Sequence, residues 1–169
     1  LVLGAQSWSY QLVGSGKVAG SSADVIVVDQ SEAGRVAALK QKPGGGRRAV
    51  IAYIAIGEAE PWRPYYKSCC SGKRPDWLTD KTQGWQDNFV VKFWHPEWKA
   101  IVRERIRQVV AAGFDGIYLD RVETWESIKH PSGSSRAEMI QLVKEVSSQA
   151  RGLKGDIAII AQNGEELLT

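Results

Sequence analysis

The sequence holds two cysteines, Cys69 and Cys70, and two histidines among 169 residues. Two adjacent thiols cannot build a common four-ligand zinc site. Their Cα atoms, ~3.8 Å apart as neighbours, also fall below the usual disulfide range. Free thiols, a strained vicinal bridge and an intermolecular bridge all stay open. No run approaches the ~18 apolar residues of a membrane span. The start at Leu1 shows no basic segment before an apolar core, so no signal peptide is visible. Charge of one sign is scarce: 22 basic and 19 acidic residues leave +3. The densest basic cluster, Lys40-Gln-Lys-Pro-Gly-Gly-Gly-Arg-Arg48, reads as a solvated loop, and no basic stripe with interleaved aromatics marks a nucleic-acid binder. No Walker pattern exists, and Gly14-Ser-Gly16 is only a fragment of a dinucleotide-binding turn.

What is present is a repeated ending. Gly113-Phe-Asp-Gly-Ile-Tyr-Leu-Asp120 is a glycine-marked turn and an apolar run that stops on a carboxylate. A helix-period stripe of Trp98, Ile101, Val102, Ile106, Val109 and Val110 precedes it. Similar runs stop at Asp29, at Gly57-Glu58, at His95 and at Gln162-Asn163, and Ser7-Trp-Ser-Tyr10-Gln11 reads as a short first strand. Continuous apolar runs suit parallel strands covered on both faces. Helices are expected over 31–41 and from the capping-box string Ser135-Arg-Ala-Glu138 to Arg151-Gly152. The alternation predicts an α/β fold, and without a nucleotide fingerprint it favours a (β/α) barrel of TIM type over a doubly wound sheet. About six of the usual eight βα units are expected, in one domain over 1–169. The segment 61–88 reads as a long functional loop rich in aromatics: Trp62, Tyr65, Tyr66, Trp77 and Trp85.

Chemistry in such folds sits at the carboxyl ends of the strands. Glycoside hydrolysis needs one carboxyl group to protonate the leaving oxygen and a second as base or nucleophile. Asp120, Glu58 and Asp29 would project from the same barrel end, so a pair among them is geometrically possible, and Asp120 and Glu58 are the predicted catalytic residues. Tyr10, Asp29, Tyr53, Trp94, Tyr118, Glu123, Gln162 and Asn163 are the predicted substrate contacts, aromatics for stacking on sugar rings and polar groups for hydroxyls. Asp115 reads as a turn former, Glu165 and Glu166 as first-turn residues of a helix, His95 as a cap before Pro96, and Trp98 as core.

Gly57-Glu-Ala-Glu60, Tyr65-Tyr66, the Asp120 segment and Gln162-Asn-Gly-Glu-Glu-Leu-Leu168 occur in one order, joined by Trp8-Ser-Tyr10-Gln11 and Phe93-Trp94-His95-Pro96-Glu97-Trp98. This ordered set resembles glycoside hydrolase family 114, the endo-α-1,4-polygalactosaminidase-like group, and most of all its thermophile-type branch. The resemblance implies a (β/α)8 barrel acting on amino-sugar polysaccharides, outside the cytoplasm, without metal or other cofactor. It maps the family's strand-end aspartate onto Asp120. Two departures stand out. Glu123 occupies a position where the family commonly has aspartate, and the family's second catalytic carboxylate is expected on a strand beyond Thr169. The alternative is an inactive carbohydrate-binding or structural protein derived from such an enzyme. Open strand edges near Trp8 and Ile159 imply that subunits or further chain cover them, as a homo-oligomer or an extended assembly.

Overall fold

The glycine in Gly113-Phe-Asp-Gly is there for its backbone. Gly113 has φ +85°, a left-handed conformation that costs a residue with a Cβ, and it lets the chain leave a helix and enter a strand within a few residues. The computed structural model describes residues 2, 4–70, 72–82 and 87–168; Trp85 of the predicted aromatic loop lies outside them. In chain order the elements are β1 (Trp8–Gln11), α1 (Gly16–Ala19), β2 (Val25–Asp29), a 3₁₀ helix (Gln30–Arg35), α2 (Val36–Leu39), β3 (Ala49–Ala55) and β4 (Glu58–Ala59). Then follow α3 (Pro64–Cys70), β5 (Leu78–Lys81), β6 (Phe89–Val91), α4 (Pro96–Ala111), β7 (Gly116–Asp120), α5 (Thr124–Ser127), α6 (Ser135–Leu153), β8 (Ala158–Ala161) and a closing 3₁₀ turn (Glu165–Leu168).

The chain divides into two compact units: 1–54, 105–119 and 148–160 in the first, 55–104, 120–147 and 161–169 in the second. The first carries the body of a five-stranded sheet ordered β1-β2-β3-β7-β8. β1 pairs with β2 and β2 with β3 in parallel, Val25 opposite Ala49 and Asp29 opposite Tyr53. Every residue of β2 and β3 is buried. That is the burial expected of unbroken Val/Ile/Ala runs with both faces covered. β1 and β8 are the edges of the sheet.

Two local expectations are corrected in this unit. The helix expected over 31–41 is a 3₁₀ helix followed by a single α turn; Asp29 caps it, accepting from Ser31 N–H at 2.9 Å. Residues 43–47 of the basic cluster are exposed, as read, but its last residue is not. Arg48 is 1% exposed and donates to the carbonyls of Val18, Ala19, Ser21, Leu39 and Gln41. Short helices end in carbonyls with no helical partner, and a guanidinium carries enough donors to serve several at once. Its neighbours Lys40 and Lys42 pair with Asp115 and Asp24 at 2.7 and 2.6 Å. Asp115 is a turn residue, as read, and more: its carboxylate also accepts from Val50 N–H at 3.0 Å.

The second unit holds a separate three-stranded sheet, β4-β6-β5. The Phe89 run therefore contributes an antiparallel strand, Glu58 opposite Val90 and Ala59 opposite Phe89, rather than a member of the parallel sheet. The long segment 61–88, expected as a loop, carries α3 and β5 among its described residues. Trp98 is wholly buried, as read, and spends its indole N–H on Ile56 O at 2.7 Å. Trp77 packs on it with ring centroids 5.0 Å apart, which gives this small sheet an aromatic floor. His95 Nδ1 accepts from Glu97 N–H at 3.3 Å, the cap expected of it. The cap of α6 falls on Ser134, one residue before the expected box: its hydroxyl accepts from Ala137 N–H, while Ser135 ties Ile128 O to His130 N–H.

Candidate active site

Asp120 is the last residue of β7, half-buried, with its carbonyl accepting from Ile56 N–H at 3.0 Å. The chain turns sharply after it. Arg121 has φ +62° and, with Asn163 at φ +53°, is one of two non-glycine residues in the left-handed region among the described residues. Such a conformation costs roughly 1–3 kcal/mol and persists where the surroundings over-determine it. Both of these residues follow strands of the large sheet.

The guanidinium of Arg121 lies between two carboxylates, Nε 3.1 Å from Glu58 Oε2 and one Nη 3.2 Å from Glu123 Oε1. Its carbonyl accepts from Thr124 N–H at 3.3 Å. Gly57 lets β4 approach this turn: an added Cβ would fall against the Arg121 carbonyl oxygen and the Thr124 side chain. The Arg121–Glu58 contact pairs charges without hydrogen-bond alignment, since Arg121 Nε and Glu58 Oε2 each lack a hydrogen-bond partner by direction.

Glu58 is buried, and its other oxygen accepts from the Asn88 side-chain amide. Burial is the main influence on this carboxyl and raises its pKa above the usual glutamate value. Thr82, the Arg121 charge and Asn88 offset this in part, while Glu60 adds to it. The Thr82 hydroxyl acts by proximity, without hydrogen-bond geometry. Two residues on, Glu60 and Arg63 form a buried bidentate pair at 2.7 and 2.8 Å, and Glu60 N–H donates to Tyr65 Oη at 3.0 Å.

Beside this network lies a cavity of about 640 Å³, lined among others by Thr82, Val90, Arg121, Glu123, Glu126 and Ile128. That volume is within the range of small-molecule sites. Its lining is rich in hydroxyl, carboxylate and cationic groups, the chemistry that recognises a polyhydroxylated ligand.

The predicted residues fall into two groups, one in each unit. The second unit brings Glu58 and Glu123 together through Arg121, which sequence reasoning did not single out, and carries Asp120 immediately before that arginine. Asn163 opens the turn after β8, and Gln162 Oε1 is buried without a hydrogen-bond partner. Trp94 stands edge-on to Phe93 and His130, with centroids 5.0 and 4.8 Å away. In the first unit Tyr10 meets Tyr53 and Tyr118 edge-on at 6.5 and 5.7 Å, so the three predicted tyrosines form one cluster. Asp29 is buried at the end of β2 as the cap already described. Asn88, Thr124 and Arg63 were also missed. Only Glu60-x-x-Arg63, an acid and a base at helical spacing ahead of Pro64, left a readable signal.

No metal-ligating group of three or more His, Cys, Asp or Glu occurs among the described residues.

A Methanocaldococcus jannaschii protein of uncharacterised function is 36% identical over 174 residues, covering 95% of this chain and 50% of its own length. A Thermotoga maritima protein is 36% identical over 173 residues, covering 96% and 54%. The chain thus spans about half the length of these relatives. Among solved structures, Ega3 of Aspergillus fumigatus in complex with galactosamine superposes with a TM-score of 0.70 at 19% identity, over 96% of this chain and 61% of that one. The glycoside hydrolase domain of PelA from Pseudomonas aeruginosa superposes at 0.76 and 17% identity, over 98% and 62%. These likenesses carry the fold: a parallel-sheet α/β architecture of the TIM-barrel glycoside hydrolases, here not closed into a barrel. The profile of Glycoside-hydrolase family GH114 matches residues 3–169, and the chain belongs to that family.

Proposed function

We propose that the protein is a glycoside hydrolase that cleaves an amino-sugar-containing polysaccharide, with Asp120 as an essential catalytic carboxylate. The observation that carries this reading is the turn after β7. A strand-end aspartate is followed by a left-handed arginine clamped between two carboxylates at 3.1 and 3.2 Å. Backbone strain held this way is concentrated at working sites. Family membership supports the reaction class.

Glu58 is the proposed second carboxyl group of this rim. Burial holds it toward its protonated form, the state a general acid needs before it donates to a leaving oxygen. Glu123, Gln162 and Asn163 are proposed sugar contacts of the second unit, with Trp94 as a stacking surface there; in the first unit Tyr10, Tyr53, Tyr118 and Asp29 are proposed contacts in their own right. Galactosamine is the sugar bound in the Ega3 structure. An ammonium-bearing sugar would find Asp80, Glu123 and Glu126 around the cavity here. A polymeric substrate of this kind belongs outside the cell, and there we place the activity.

Release of reducing ends from de-N-acetylated galactosamine polymers by the full gene product tests the reading. Turnover that vanishes in Asp120→Asn is the expected result. Glycan binding without turnover, unchanged in Asp120→Asn, would replace it with the carbohydrate-binding reading.

A further inference from the structure

The two cysteines belong to no part of the site above. They are the last residues of α3, both half-buried and unbridged. Neighbouring side chains on a helix do not normally face one another. Here they do: the sulfurs turn together to 2.6 Å, and Cys69 Sγ also meets the Tyr66 carbonyl at 3.8 Å. A zinc role fails for want of further ligands, since no group of three or more ligating side chains exists among the described residues.

We propose that Cys69 and Cys70 are a reversible oxidative modification site, closing a vicinal disulfide by exchange with a small-molecule disulfide such as oxidised glutathione. In the first step the Cys69 thiolate attacks one sulfur of the oxidant, and one glutathione thiolate leaves. In the second the Cys70 sulfur attacks the Cys69 sulfur, gives up its proton and expels the second glutathione. Two protein thiols lose two electrons and two protons, and the external disulfide is reduced to two thiols.

The order follows from the surroundings. Burial, then the neighbouring Cys69, push the Cys70 thiol up to about 12, so Cys70 waits protonated while Cys69 makes the first attack. Once Cys69 is held in a mixed disulfide, its own contribution to that rise is gone. The resolving sulfur is already in place, so ring closure outruns capture by a second protein molecule. Adjacent Cα atoms sit ~3.8 Å apart, below the usual disulfide range, so the closed ring is strained. A strained bridge is readily reduced, which makes the modification reversible. Closure must also distort the last turn of α3, one turn beyond Tyr66, which stacks on Phe89 with centroids 6.0 Å apart.

Intact-mass measurement after incubation with oxidised glutathione, on the full gene product, decides the matter. The wild type is expected to become a monomer lighter by two hydrogens, with both thiols lost together, no adduct retained, and full recovery in dithiothreitol. Cys70→Ser, with no resolving sulfur, is expected to keep one glutathione on Cys69. A stable adduct on the wild type, a covalent dimer, or two thiols still titratable after denaturation would each overturn the proposal.

Discussion

Arg48 in the first unit and Glu58 in the second are both buried charged-type residues, and their surroundings differ in kind. Arg48 meets five backbone carbonyls. Glu58 has one amide partner, one misaligned arginine and an oxygen with no directed hydrogen bond. The difference extends beyond the pair. All but one of the buried side-chain polar atoms without a hydrogen-bond partner among the described residues lie in the second unit, on Glu58, Thr82, Asn88, Arg121, Glu123, Thr124, Trp125 and Gln162. Buried polar groups are normally satisfied, and a cluster of exceptions calls for an explanation. The first unit pairs Arg48 and Asp115 with directed acceptors and donors; the second leaves a cluster of buried polar atoms without directed partners.

The carboxylates repeat the contrast. Asp115 in the first unit is opposed by burial, but Lys40, Val50 N–H and Lys154 outweigh it and lower its pKa. For Glu58 burial wins and the pKa rises.

Arg48→Met gives the largest expected loss of stability. It takes a donor from five carbonyls, of which Val18 O keeps Ser21 N–H and Gln41 is exposed, and the penalty for the acceptors left unpaired sums to on the order of 4 kcal/mol. Denaturant unfolding measures it, and a loss well below that would break the contrast by making Arg48 dispensable. Gly57→Ala comes next. The added Cβ meets a backbone carbonyl that cannot swing aside, and overpacking of this kind costs about 1–3 kcal/mol. Its turnover should fall further than its stability, because the disturbed carbonyl belongs to Arg121, next to Asp120.

Smaller still is a pH effect. Because the Glu58 pKa is raised in the folded state, folding takes up a proton. Stability is then fully present below the ordinary value of 4.5 and declines as pH rises through the raised one. Glu58→Gln imitates the neutral carboxyl and should flatten that decline in a pH series of unfolding curves. The opposite sign is expected at Asp24, lowered to about 2 chiefly by its hydrogen bond from Lys42. That stabilisation is present above the ordinary aspartate value of 3.8 and fades as pH falls toward 2. Lys42→Met should reduce this acid-side loss, the part due to the hydrogen bonds from Gln6 and Ser7 remaining.

Much of the large sheet was legible because β2, β3 and β7 are apolar runs bounded by turn residues, and periodicity reports burial directly. The Phe89 run misled because Phe-Val-Val fits a buried parallel strand or a short antiparallel one equally well. Only its partners, Glu58 and Leu78, decide between them. Asp120 stood out as the polar end of an apolar strand. Arg121 did not, since its part depends on a left-handed backbone and on Glu58 more than sixty residues away. Arg48 was misread for the same reason. Two glycine-flanked arginines look solvated until short helix ends bring their carbonyls to one of them.

Turnover and unfolding measured side by side on Asp120→Asn and Arg48→Met test the account most directly. The assay offers a galactosamine polymer to the full gene product. Asp120→Asn is expected to lose about 10²–10⁴-fold in rate while unfolding as the wild type does, and Arg48→Met to lose stability while each folded molecule turns over normally. Wild-type turnover retained in Asp120→Asn would contradict the assignment of the catalytic carboxylate.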